Sequence, residues 1–154
     1  MPDFSVFFKK SKGRPIEYKG RTLLMCDHFP LPGKEARLKY RIVSTSSVWK
    51  QGIAVATKGV LEFPGNEKFT KGWIDIWEHK VDWEGVFTCR SKDGLLDVTN
   101  VWDTGNGVVE SWFYGSAMWI EEIPGGRRYH CNDGHPDENF DDIIFELTIV
   151  EESE

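Results

Sequence analysis

The stretch ARLKYRIV, residues 36–43, is the part of the sequence that decides the fold class. Its apolar and charged side chains alternate, and a repeat of two residues places alternate side chains on opposite faces of an extended strand. One face would enter a core while the other meets water. The apolar members are Ala36, Leu38, Tyr40 and Ile42, and the basic members are Arg37, Lys39 and Arg41.

Short segments of similar character recur along the chain. Short glycine-bearing stretches typical of hairpin loops lie between several of them, at SKDG (91–94), DTGNG (103–107) and IPGG (123–126). No window of helix length repeats apolar residues at three and four positions. The further strand candidates are DFSVFFK (3–9), IAVAT (53–57), GVLEF (59–63), GWIDIWEH (72–79), GVFTCR (85–90), LLDVTNVW (95–102), VVESWFY (108–114), MWIEEI (118–123) and IIFELTIV (143–150).

This spacing of strands and turns predicts an all-β fold. The 154 residues fit one domain, so we expect a single all-β domain over residues 1–154. Short strands joined by hairpin turns are typical of an antiparallel β-sandwich, and a closed β-barrel is the alternative because both have similar strand counts and turns.

Charge and composition exclude some classes of partner. The net charge is −6, and no basic patch is interleaved with aromatic residues, so general binding of nucleic acid is not expected. No apolar stretch approaches the roughly 18 residues of a membrane-spanning helix. Three widely spaced cysteines do not form a disulfide framework, and the first residues do not resemble a signal peptide. We therefore expect a cytoplasmic protein, or one released without a signal peptide.

Aromatic residues, 14% of the chain, give the first candidate site. In GWIDIWEH, Trp73, Asp75 and Trp77 alternate with Ile74 and Ile76. If the isoleucines enter the core, two indole rings and a carboxylate face outward, as in sites where sugar rings stack or lipid headgroups bind. The alternative is that this strand is buried on both faces. The predicted ligand-binding residues are Trp73, Asp75, Trp77 and Trp83, and the predicted ligand is carbohydrate or a lipid headgroup.

Acidic residues near the C-terminus give the second candidate site. Asp137, Asn139 and Asp141 are spaced by two, followed by Asp142, and calcium prefers carboxylate and amide oxygens from such a loop. The loop is not an EF-hand, because Asp142 stands where glycine is required and a strand follows. The alternative is a solvated turn built by Asp and Asn side chains.

The segment NDGHPDENFDDIIF, residues 132–145, resembles the Asp-x-Asn/Asp-Phe-x-Asp loop of calcium-binding β-sandwich modules in extracellular proteins. The resemblance implies that Asp137, Asn139, Asp141 and Asp142 hold calcium and that Phe140 packs beneath the loop. In composition and length alone, the chain is also similar to the aegerolysins, a family of lipid-binding proteins.

Other chemistry is less well represented. Cys26, His28, Cys89, Cys131 and His135 lack the spacing of zinc sites, and the sequence has no nucleophile elbow, phosphate loop or dinucleotide motif. The sequence therefore favours a non-enzymatic binding module. Two alternatives are a small β-barrel that binds an apolar molecule, as an isomerase or cyclase could, and an acidic inhibitor or immunity-type protein that binds a basic enzyme.

Overall fold

The strand predicted at residues 36–43 is confirmed in the structure, a computed structural model that describes residues 3–112, 114–135 and 137–151. The four apolar side chains of this stretch are buried, whereas Arg37 and Arg41 are exposed. The described residues form one helix, α1 (Phe4–Ser11), and eleven strands: β1 (Ile16–Tyr18), β2 (Arg21–Leu23), β3 (Asp27–Pro30), β4 (Glu35–Thr45), β5 (Lys50–Phe63), β6 (Glu67–Phe69), β7 (Ile74–Trp77), β8 (Glu84–Asp103), β9 (Ala117–Ile123), β10 (Gly126–Asn132) and β11 (Ile143–Ile149).

The two long strands, β5 and β8, connect two layers of antiparallel sheet. The second half of β5 and the first half of β8 lie in the order β6-β5-β8-β4-β11-β10-β9. The other halves of the same strands pair with β7 and β3. Strands β1 and β2 form a separate two-stranded sheet. The sheets do not close into a barrel, so the sandwich prediction is confirmed and the barrel alternative is wrong.

The main core lies between these layers. It combines buried side chains of the β3-β8-β5-β7 layer with buried side chains of β4, β10 and β11. Alternation within each strand supplies them, because every second side chain points to the same face. Representative members are Ile53, Val55, Ile76 and Val98 from the first layer and Leu38, Phe87, Phe145 and Leu147 from the second.

A large bulge lies where the two layers meet. Thr57 pairs with Leu96 and Gly59 pairs with Ser91, so four residues of β8, 92–95, lie opposite Lys58 alone. A Cβ atom at Gly59 would lie 1.9 Å from the carbonyl oxygen of Arg90 in β8, so only glycine fits there. The SKDG stretch is therefore a bulge inside β8, and the prediction of a hairpin there is wrong. Extra residues on one strand bend it, which is how β8 passes from one layer to the other.

The N-terminal segment DFSVFFK is helical, so the prediction of a strand there is wrong. Asp3 caps α1 by accepting a hydrogen bond from the backbone N–H of Ser5 at 3.0 Å. Phe4 and Phe8, spaced by four, are buried on one face of the helix and pack with Leu23 and Phe140 in a second core cluster. Over so few residues, the apolar pattern fits a period of 2 and a period of 3.6 equally well.

One further predicted turn and one further predicted strand have different outcomes. IPGG joins β9 and β10 as a hairpin, as predicted, with Gly126 paired to Ile123. The stretch VVESWFY after DTGNG is not a strand in its described residues, where Glu110 alone pairs with Trp102. This segment instead forms a loop over the outer face of the β3-β8-β5-β7 layer, and its residue 113 lies outside the described residues.

Candidate functional site

Strand β7 presents a polar and aromatic face to the outside of its layer. Ile76 pairs with Ile53 and is buried in the core, whereas Asp75 pairs with Ala54 and points the opposite way. Trp73, two residues before Asp75, is 39% exposed. Asp75 therefore faces away from the core, and Trp73 is partly exposed, as the alternation in this strand predicts.

Trp73 and Asp75 line a cleft with a residue that the sequence did not assign to the site, Trp112. The cleft has a volume of about 170 Å³, and the two indole rings meet edge to face with centroids 5.7 Å apart. Trp112 is 37% exposed, so each ring keeps a free surface. The remaining lining residues are short side chains from β5 and β8 and from the loop, namely Ala54, Thr99, Val101, Val109 and Ser111.

Contacts at both ends position the loop that carries Trp112. Its indole Nε1 donates a hydrogen bond to Thr99 Oγ1 at 2.9 Å. On one side, the backbones of Glu110 and Trp102 exchange two hydrogen bonds, and on the other, the N–H of Ser5 donates to the carbonyl of Tyr114. Trp112 and Tyr114 both have positive φ, 54° and 53°. A left-handed backbone at residues other than glycine costs free energy, and such strain is concentrated at binding and active sites.

The carboxylate of Asp75 is the polar group of the cleft. Burial raises the pKa of this side chain, although the group remains half-buried. Within the described part of the chain, no side chain or backbone group forms an ion pair or hydrogen bond with its oxygens. Both oxygens can therefore accept hydrogen bonds from a ligand that enters the cleft.

The other two predicted ligand-binding residues lie outside the cleft. Trp77 packs over Gly52, where an added Cβ atom would lie 3.0 Å from the indole ring. Trp83 follows β7, is 42% exposed, and donates from Nε1 to the carbonyl of Glu78 at 3.1 Å. The structure therefore brings together two of the four predicted residues, Trp73 and Asp75, and adds Trp112.

The residues predicted to bind calcium make separate contacts within the described loop. Asp137 Oδ1 accepts a hydrogen bond from the N–H of Asn139 at 3.2 Å, as in a turn stabilised by an aspartate. The carbonyl of Asp141 accepts a bond from Ser46 Oγ. Asp142, by contrast, is buried, and its Oδ2 accepts from the N–H of Asp133 at 2.9 Å.

Asp142 belongs to a cluster with Asp133, which is also buried, and the partly exposed His135; we call it the Asp-His cluster. One potential ligand atom from each residue lies within 4.8 Å of the other two. The fully buried Asp133 carboxylate accepts hydrogen bonds from Ser47 Oγ at 2.6 Å and Gln51 Nε2 at 3.0 Å. It also accepts from the backbone N–H of His135 and contacts the His135 ring nitrogen at 2.8 Å.

Pairing of β10 with β11 explains why the Asp-His cluster forms. The last residue pair of these strands is Cys131 with Ile143, so the loop between them begins and ends beside Asp133 and Asp142. The two carboxylates lie together although they are nine residues apart in the chain. Burial, together with the nearby Asp133 carboxylate, raises the pKa of Asp142 to about 7. A prediction that β10 and β11 pair as a hairpin would have placed Asp133 beside Asp142 from the sequence alone.

No helix in the described ranges combines the length and the apolar character needed to cross a membrane. Comparison of the chain with protein-family models, with curated proteins and with solved structures found no match.

Proposed function

We propose that this chain is a non-enzymatic carbohydrate-binding module whose ligand is held by Trp73, Asp75 and Trp112. The observation that carries the proposal is the cleft itself. Two half-exposed indole rings flank a carboxylate that has no partner among the described residues, above a floor of small side chains. Aromatic faces with one directed polar group suit a ligand that has both C–H and O–H surfaces, as sugar rings do.

Recognition combines stacking with directed hydrogen bonds. The apolar face of a sugar ring packs against Trp73 or Trp112, while its hydroxyl groups donate to the oxygens of Asp75. The hydrogen bond from Trp112 to Thr99 holds one ring in place before the ligand arrives, which lowers the entropic cost of binding. The volume of about 170 Å³ is below the roughly 300–1,000 Å³ of pockets for drug-sized ligands. We therefore infer that the cleft takes one sugar ring or the end of a chain.

A titration of intrinsic tryptophan fluorescence with a panel of monosaccharides and short oligosaccharides tests the proposal. Trp73→Ala and Trp112→Ala should each weaken binding at least about tenfold, because truncation of a central aromatic contact costs about 2 kcal/mol or more. Trp83→Ala is the matched control, since this indole is equally exposed but lies outside the cleft. Saccharide binding that survives both cleft substitutions would refute the assignment.

A lipid headgroup is the alternative ligand for the same surface. Val108 and Val109, which precede Trp112 in the same loop, are 53% and 49% exposed. Exposed apolar side chains beside an indole ring are able to enter a lipid interface. Co-sedimentation with zwitterionic phosphatidylcholine vesicles separates the two ligands. Binding to vesicles without binding to free saccharides would replace carbohydrate by lipid in the proposal.

Calcium dependence stays a prediction of the sequence. Asp137, Asn139 and Asp141 do not line the cleft, so the proposed contacts to sugar do not use them. Repeating the saccharide titration with added calcium and with a calcium chelator tests the dependence. A large loss of affinity in chelator would place a calcium ion in the recognition mechanism.

A second candidate function rests on an apolar pocket of about 320 Å³ beside β6 and β7. Its walls are mainly aromatic and aliphatic, which suits a small apolar ligand. A hydrophobic fluorescent dye that is displaced by apolar compounds, with no response to saccharides, would favour this function. The main apolar lining residues are Tyr40, Phe63, Phe69, Ile74, Ile76, Val81 and Val86.

A further inference from the structure

The Asp-His cluster has the composition of a metal site. We infer that Asp133, His135 and Asp142 bind a divalent transition-metal ion, zinc or manganese, with Gln51 Oε1 as a fourth donor. This site lies on the inner side of β5, away from the outer face that carries the cleft. The inference is therefore independent of the proposed carbohydrate site.

The distances in the cluster come close to those of a coordinated ion. Ligand atoms about 2.0–2.2 Å from one shared ion are at most about 4.4 Å apart. The three candidate atoms already lie within 4.8 Å of one another, and His135 Nδ1 is 2.8 Å from Asp133 Oδ1. Asp133 and Asp142 adjoin the ends of the paired strands β10 and β11, which holds their backbones close together.

A second and independent observation is the carboxamide of Gln51. This side chain is fully buried, and its Nε2 donates to Asp133 Oδ2, so the amide group lies against the cluster. Its Oε1 atom is buried and has no hydrogen-bond partner among the described residues. A buried carbonyl oxygen without a partner is unfavourable, and a cation beside the Asp133 carboxylate would satisfy it.

Charge also favours a cation. Asp133 and Asp142 are both buried, and within the described residues neither forms an ion pair with lysine or arginine. The ion-pair partner of Asp133 in this part of the chain is His135, and Asp142 has none there. Buried carboxylates are normally paired or coordinate metals, and a divalent ion would compensate both.

The donor set indicates which ions fit. One imidazole nitrogen with carboxylate and amide oxygens suits zinc or manganese, whereas magnesium and calcium sites are built from oxygen. The ring of Trp49 stacks on His135 with centroids 3.9 Å apart and fixes the orientation of the imidazole. The side chain of His135 is 38% exposed, which leaves a route from solvent for the ion.

The experiment uses the whole chain after treatment with chelator and dialysis. Zinc, manganese and calcium ions are each titrated alone by isothermal calorimetry, and Tm is recorded with and without each ion. We expect one zinc or manganese ion per chain and a rise in Tm, because an ion bound only by the folded state stabilises it. The absence of binding at millimolar zinc and manganese would overturn the inference.

Two substitutions and one control locate the ion. His135→Gln, at an exposed side chain, and Asp142→Asn, which keeps the shape of the side chain, should each weaken binding at least about tenfold. The double variant Asp137→Asn with Asp141→Asn alters the same loop outside the cluster and should bind normally. Circular dichroism confirms that each variant is folded. Binding that is lost in the control but retained in His135→Gln would overturn the inference and place the ion in the loop.

Discussion

The outer cleft and the Asp-His cluster use aspartate in opposite ways, although strand β5 contributes to both. Asp75 is half-buried and has no protein partner within the described residues, whereas Asp133 is fully buried and accepts several hydrogen bonds. Ala54, in the floor of the cleft, and Gln51, beside the cluster, point to opposite faces of β5. The same residue type is therefore free to bind a ligand in one region and is bound within the protein in the other.

The difference has an energetic consequence. Partly exposed rings and a carboxylate without partners contribute little to the stability of the fold, so substitutions in the cleft should affect binding more than folding. A buried carboxylate with many donors stabilises the fold, because its removal leaves those donors without partners. Stability and binding measurements should consequently separate the two regions.

The largest expected effect is the loss of stability in Asp133→Ala. This substitution removes the acceptor for Ser47, Gln51 and His135 inside the protein, and we expect a fall of about 3–5 kcal/mol in the free energy of unfolding. The matched substitution Asp75→Ala should change the free energy of unfolding by less than about 1 kcal/mol, because none of the described groups loses a partner. Urea denaturation of both variants measures the difference. Similar losses in the two variants would contradict the comparison.

The second prediction concerns pH and metal-free protein. Since the pKa of Asp142 is raised from 3.8 to about 7 by folding, the native state binds more protons than the unfolded state between these values. The stability that the raised pKa of Asp142 adds is fully present below about pH 4 and is lost as pH rises through 7. The Tm should therefore fall by several degrees between pH 5 and pH 8.

Asp142→Asn is the control for this pH dependence, because an amide does not titrate. In this variant the slope of Tm against pH should be flatter. The acidic groups whose pKa is lowered, such as Glu121 and Glu146, act below about pH 4.5 and leave this range undisturbed. Thermal melts in chelator at several pH values provide the measurement. An unchanged slope in Asp142→Asn would assign the effect to another group.

A smaller effect is expected from the strained backbone of the cleft. Trp112→Gly and Trp112→Ala remove the same ring and the same hydrogen bond to Thr99, but only glycine adopts a φ of 54° without strain. We therefore expect the glycine variant to be more stable than the alanine variant by about 1 kcal/mol. Urea denaturation of the two variants gives the difference directly. Equal stabilities would show that the loop relaxes once the ring is absent.

Local patterns predicted much of the fold. Strict alternation over residues 36–42 and the Pro-Gly turn before β10 each specify their structure within a few residues. The pattern was insufficient where it was short or where structure depends on distant contacts. The apolar side chains of α1 fit a period of 2 as well as a period of 3.6. SKDG forms a bulge where the backbone of β8 lies very close to Gly59 of β5, a contact between residues distant in the chain.

The same limit explains which site residues could be predicted. Trp73 and Asp75 follow from alternation within one strand, since Ile76 enters the core. Trp112 reaches them from a loop with a left-handed backbone, which no local pattern indicates. Asp133 joins Asp142 through strand pairing, whereas the sequence grouped Asp142 with its nearest acidic neighbours.

The smallest expected effect concerns the independence of the two regions. Asp142→Asn should change saccharide affinity in the cleft by less than about twofold, because separate sites without shared partners are additive within about 0.3–0.5 kcal/mol. Trp112→Ala should likewise leave zinc affinity unchanged within that range. Calorimetric titration of each variant with both ligands measures both effects. A change beyond about tenfold in either direction would mean that β5 transmits a conformational change between its faces, since coupling between two sites is reciprocal. The two regions would then be parts of one site, and the metal would regulate access to the cleft.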